Sequence, residues 1–146
     1  MEPIYQADRD EEMNAAIEKA RDTFPEFLRE AEADFGRIIP VLEGALVKIE
    51  FVDPDDDAVV EHLWARYLGR DEEDEGQYVA VMLSSPAKLA HIVENGDEFS
   101  FTTDNLTDWL YVVDGKARGA FTVQLLRSRM SPAERKKHDA AYPFSF

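Results

Sequence analysis

Ala45-Leu46-Val47-Lys48-Ile49-Glu50-Phe51-Val52 is followed by Asp53-Pro54-Asp55-Asp56-Asp57 and then by Val59-Val60-Glu61-His62-Leu63-Trp64-Ala65-Arg66-Tyr67-Leu68. In the first run Val47, Ile49 and Phe51 alternate with Lys48 and Glu50, the two-residue period of a strand with one apolar face. In the second, Leu63, Ala65 and Tyr67 alternate with His62, Trp64 and Arg66. The acidic Asp-Pro stretch between them predicts a turn over 53–57, because proline donates no ladder bond and aspartates favour turns. Two alternating runs around such a break predict neighbouring antiparallel strands.

Reading downstream, Gln77 to Leu83 predicts a third strand, after the acidic loop Asp71-Glu72-Glu73-Asp74-Glu75. Asp97 to Thr102 follows the turn signal Asn95-Gly96, and Leu106 to Val113 is a further strand ending at the tight-turn pair Asp114-Gly115. Ser85 to Val93 is compatible with a helical turn or an irregular loop, and Gly119 with a bend. Beyond it, Thr122 begins a segment of helical propensity that contains Leu125, Leu126 and Met130. Ser131-Pro132-Ala133-Glu134 has the serine cap, first-turn proline and third-position glutamate of a helix start. The apolar tail Tyr142-Pro143-Phe144-Ser145-Phe146 is expected to pack back on the domain, with an exposed docking peptide as the alternative.

Reading upstream, Met13, Ile17, Ala20, Phe24, Phe27, Leu28 and Ala31 recur at steps of three and four, which predicts an amphipathic helix over residues 10–33. Asp8 and Glu11 form a plausible capping pair. Pro25 removes a helical hydrogen bond and disfavours a helical Phe24, so two helical pieces or a kink are expected there. The fold class is therefore α+β: an antiparallel sheet of about four to six strands with an N-terminal amphipathic helix and C-terminal helices packed on it. A single domain over 1–146 is expected, with the helical segment at 10–33, the sheet at 45–113 and the C-terminal helices at 122–141.

The charge pattern narrows the function. The 146 residues carry a net −15 from 31 acidic and 16 basic side chains. Residues 116–146 hold seven of the basic side chains and only two acids, a local +5, so residues 1–115 carry −20. Such a body repels phosphates, which argues against nucleic acid and anionic membrane and in favour of a basic protein partner. Cysteine is absent, which removes thiolate chemistry and cysteine-held metals. The acidic start, with no basic and apolar leader pattern, and the absence of any apolar run near about 20 residues point to the cytoplasm.

No nucleophile elbow, phosphate loop or dinucleotide fingerprint is present, and no cofactor is expected. His62, His91 and His138 have no ligand spacing, so no metal site is expected. The acidic runs 53–57 and 71–75 lack the glycine and terminal glutamate of a calcium loop and read as solvated. One candidate ligand pocket remains, built from His62, Trp64, Asp108, Trp109 and Tyr111, on the expectation that these share one face of the sheet. The competing expectation is that Trp109 and Tyr111 fill the core while Asp108 ties down a turn.

The chain resembles a bacterial family, the "domain of unknown function 2314". The resemblance rests on Asn14 to Ala20, Thr23-Phe24-Pro25-Glu26-Phe27, Val47-Lys48-Ile49, Glu61-His62-Leu63-Trp64, Leu106 to Tyr111, Gly119, Phe121-Thr122 and Ser131 to Arg135. It implies a small bacterial domain and brings no catalytic residue with it. The chain departs from the family pattern at the acidic loop 71–75 and at Ser84-Ser85-Pro86; the second departure lies in the loop nearest a possible site, which weighs further against an enzyme. The expected function is a non-enzymatic protein-binding module, inhibitor-like or immunity-like. The alternatives are a small enzyme or ligand binder with its pocket near Trp109, and a stand-alone structural or regulatory domain, for which self-association is one option.

Overall fold

The computed structural model describes residues 10–89, 91 and 93–146. A hairpin forms the centre of the sheet: β1 (Gly44–Asp53) pairs antiparallel with β2 (Asp56–Arg70), Val47 facing Ala65 and Ile49 facing Leu63. The turn is tighter than the sequence suggests. Only Pro54 and Asp55 lie between the strands, because proline can supply the bend while Asp53 and Asp56 still pair.

β3 (Tyr78–Met82) and β4 (Glu98–Phe101) extend the sheet beyond β2, and β5 (Leu106–Val113) adds to the other side of β1. A sixth strand, β6 (Lys116–Gly119), closes a hairpin with β5 through Asp114 and Gly115, whose φ values of 51° and 71° belong to a type I′ turn. The order is β4-β3-β2-β1-β5-β6, antiparallel throughout.

α1 (Glu11–Phe35) covers one face of this sheet. Asp10 caps it, accepting from the Met13 N–H at 2.8 Å; Asp8 lies outside the described residues. The helix is one element and not two pieces at Pro25. Pro25 points to solvent while Phe24 and Phe27 are fully buried. Burying a large apolar side chain contributes roughly 2–3 kcal/mol each, which offsets the roughly 3 kcal/mol that an interior proline costs. Under the helix, Phe24 stacks on Phe27 at 5.4 Å and meets Tyr78 edge-on at 5.2 Å, over a floor of Val47, Ile49, Ala65 and Ala80.

α2 (Phe121–Ser128) and α3 (Pro132–Asp139) follow β6. α3 has the full capping box: Ser131 accepts from the Glu134 N–H, and the Glu134 carboxylate accepts from the Ser131 N–H. On the sheet face opposite α1, Leu110, Val112, Ala120 and Val123 form a second small core, against which Leu46, Trp64, Phe144 and Phe146 pack. The C-terminal tail thus folds back, and Ser145 makes a parallel bridge to Lys116. No helix among the described residues is long and apolar enough to cross a membrane.

Candidate functional site

Strand register decides how the candidate residues are distributed. Lys48 of β1 faces Trp64 of β2 on one side and Asp108 of β5 on the other, while Val47 faces Trp109. Trp64 and Asp108 therefore lie on the face opposite α1, and Trp109 and Tyr111 lie beneath α1. The five candidates do not share one face. Consecutive residues in a strand point to opposite sides, so Asp108 and Trp109 are separated by the pleat itself.

Trp109 is a core residue. Its indole N–H donates to the Ala20 carbonyl at 3.0 Å and to Thr23 Oγ1 at 3.2 Å, and its ring contacts Phe27, Tyr111 and Phe121. Tyr111 is half-buried beside it. Burial pushes its phenol above the ordinary range, with Glu30 adding to the shift. His62 is exposed on β2 opposite Glu50, and Trp64 is half-buried with the Lys48 ammonium 5.6 Å from its ring.

Asp108 is the electrostatic centre of the fold, and it is fully buried. Its Oδ1 accepts from the Trp109 N–H at 2.9 Å and the Phe121 N–H at 3.0 Å. Its Oδ2 accepts from the Thr122 N–H at 2.9 Å and the Thr122 hydroxyl at 2.5 Å. The Lys48 ammonium completes the chain by donating to Thr122 Oγ1 at 2.6 Å. Burial pushes the Asp108 carboxyl up and the Lys48 ammonium down, while each charge opposes the shift of the other.

Asp108 therefore caps α2 from a distant strand. The residue before α2, Ala120, has a left-handed φ of 54° and no capping side chain, so the first helical N–H groups would be orphaned without Asp108. A hydroxyl held between an ammonium and a carboxylate resembles an activated nucleophile in composition. Here the hydroxyl spends its proton on Asp108, and Thr122 is only 1% exposed. The arrangement fixes structure.

Lys48 and Thr122 are members of this centre that the sequence did not single out. Lys48 reads as a wet-face residue of β1, and Thr122 lies 14 residues from Asp108. Other conspicuous polar groups also bind the chain to itself. The Glu61 carboxylate accepts from the backbone N–H groups of Ala87, Lys88 and Leu89, and Arg21 donates to the carbonyls of Asp104 and Leu106. Among the described residues no group of three or more His, Asp or Glu could hold a metal ion.

Two surface grooves lie elsewhere. One, of about 380 Å³, follows the acidic loop from Arg70 to Tyr78. The other, of about 390 Å³, runs between Leu46, Arg66, Val112 and Phe144 on the face opposite α1.

The basic C-terminal segment is partly satisfied locally. Arg127 holds Asp139 through two bonds of 2.9 and 2.7 Å, and Arg129 reaches Asp10 at 2.9 Å and Glu12 at 3.5 Å. Asp55, Asp56, Asp57, Glu72, Glu73, Asp74 and Glu75 remain exposed.

The chain is 37% identical over 144 residues to a protein of Neisseria meningitidis serogroup B named "Putative ankyrin repeat protein". That match takes in 97% of this chain and 55% of the relative, so the chain spans about half the length of the protein it resembles. No solved structure matches it. The profile of one family, described as "Uncharacterized protein conserved in bacteria (DUF2314)", matches residues 10–146, and the chain belongs to that family.

Proposed function

We propose that this domain is a non-catalytic protein-binding module that engages a basic partner through its acidic surface. The observation that carries the reading is the contrast between the two kinds of charge. The buried centre of Lys48, Thr122 and Asp108 is closed and structural, whereas the carboxylates of the loops at 53–57 and 71–75 largely face solvent. Exposed charge of one sign accelerates capture of an oppositely charged protein without needing a pocket.

The Neisseria relative fits the same reading. Ankyrin repeats are stacks of about 33-residue helical units used for protein contact, and the elements among the described residues here, one long helix, a six-stranded sheet and two short helices, are of another kind. A relative that joins repeats to a domain of this kind would be an assembly of binding modules.

The test is affinity capture from a lysate of the source cells with the native chain and with a loop-neutralised variant. In that variant Asp55, Asp56 and Asp57 become Asn and Glu72, Glu73 and Glu75 become Gln. The expected result is a basic protein retained at about 0.05 M salt, released by about 0.3 M, and absent from the variant. Equal capture by both chains, or no salt-sensitive partner, would refute the proposal.

A further inference from the structure

We propose that the outer edge of β6 and the apolar bed beside it form a peptide-binding groove whose ligand is an extended partner segment with aromatic residues at alternate positions. In the folded chain its own Phe144-Ser145-Phe146 occupies this groove. Two backbone bonds define the edge: the Ala117 N–H donates to the Ser145 carbonyl at 2.8 Å, and the Ser145 N–H donates to the Gly115 carbonyl at 2.9 Å. This is strand addition in parallel, the mode by which sheet edges recognise extended peptides.

Side chains supply the selectivity. Ser145 is exposed, while Phe144 and Phe146 on either side of it turn toward Leu110, Val112, Ala120 and Val123. The Phe146 ring lies 5.7 Å from the Arg127 guanidinium and 5.5 Å from the His138 ring. A cationic and aromatic collar of this kind favours an aromatic over an aliphatic side chain.

The groove is longer than its occupant. From Phe144 it continues past Val112 and Leu46 to Glu43 and Arg66, a space of about 390 Å³, while the chain itself turns away through Pro143 into α3. A partner segment whose chain crosses the sheet face on the N-terminal side of its first aromatic residue would fill this space as well. A second copy exchanging its tail would fill no more than the native tail does, and a stable dimer needs about 1,200 Å² or more. The chemistry therefore favours a partner segment over a second copy. This inference stands apart from the acidic loops, and its test is run at about 0.3 M salt so that loss of charge attraction leaves it intact.

The probe is a fluorophore-labelled Tyr-Pro-Phe-Ser-Phe peptide, read by anisotropy against the full chain and against the full chain carrying Phe144→Asp and Phe146→Asp. The tethered native tail competes at an effective concentration of order millimolar, so the variant is expected to bind the probe at least about tenfold more tightly than the native chain. A probe with both Phe replaced by Ala should bind neither. Failure of a folded variant to bind, or equal binding of the two probes, would overturn the proposal. So would a variant that no longer folds, because the tail would then be integral to the core. In the native chain, millimolar probe should move the amide signal of Ala117; concentration-dependent dimerisation without that shift would assign the groove to a second copy and overturn it.

Discussion

Replacing Asp108 by Asn tests whether one carboxylate holds α2 to the sheet. The substitution keeps the side-chain shape. Its carbonyl oxygen can still accept from Trp109 and Phe121, which bond to Oδ1 in the native chain. Its NH2 group then faces the Thr122 N–H, which loses its acceptor, and the Thr122 hydroxyl, which must turn its proton away from the side chain it bonds to in the native chain. A buried unsatisfied donor costs about 1–3 kcal/mol. The Lys48 ammonium also loses its counter-charge, which costs about 3–5 kcal/mol at full burial and less here, because Lys48 is half-buried. The expected loss is therefore about 3–5 kcal/mol, a large share of the roughly 5–15 kcal/mol that stabilises a domain. Lys48→Met should also be destabilising, by about 2–4 kcal/mol, because the fully buried Asp108 carboxylate loses its counter-charge and keeps only its four hydrogen-bond donors, while the methionine still packs on Trp64. The double variant should be no less stable than Asp108→Asn alone. Urea unfolding at pH 7, followed by tryptophan fluorescence and circular dichroism, measures all three. A loss under about 1 kcal/mol for Asp108→Asn, or strict additivity of the two single changes, would refute the assignment.

Three further outcomes follow from local geometry. Gly119→Ala should destabilise by at least about 3 kcal/mol, because Gly119 has a φ of 83° and an added Cβ would meet the Trp109 carbonyl oxygen and ring at 2.5 Å; thermal melts followed by circular dichroism report it. Ser131→Ala removes the cap of α3 and should cost about 1 kcal/mol, read as a lower thermal midpoint. Asp139 is held down to about 2, first by its hydrogen bond to Arg127 and then by His138. Its folded pKa lies below the unfolded value, so its contribution is present above about pH 4 and is lost as pH falls toward 2. Asp139→Asn should remove that part of the acid response of the α3 amides in an NMR titration, leaving the response of α1 unchanged.

Much of the sheet is legible in the sequence because its apolar positions repeat every two residues. Val47, Ile49, Leu63, Ala65 and Tyr67 all face α1, as their alternation requires. β6 is not legible in this way: Lys116-Ala117-Arg118-Gly119 contributes one apolar side chain, and only the Asp114-Gly115 turn signals its presence. The expectation that the five candidate residues share one face fails for a related reason. Grouping Asp108 with Trp109 ignores the same alternation that reveals β1 and β2. A bulge adds to the difficulty: Ile49 pairs with Leu106 while Lys48 pairs with Asp108, so Thr107 is the extra residue and Leu106 and Asp108 fall on opposite faces. The role of Asp108 depends on Thr122 and on Lys48, and nothing local in the chain links these three positions.

The same topology limits what the acidic loops can do together. One joins β1 to β2 and the other joins β2 to β3, so they sit at the two ends of a 15-residue strand. At roughly 3.3 Å per residue that separation is of the order of 45 Å. Charges so far apart exceed the physiological screening length of about 8 Å several times over, so neither loop reinforces the other at contact range. A partner domain about 30 Å across could touch one loop but not both. If the proposed basic partner is captured through these loops, they would act as a field that speeds encounter, and neutralising one of them should slow association more than it speeds release. A strand seated on β6 would behave oppositely, since its backbone bonds and buried aromatic rings govern release and respond little to salt.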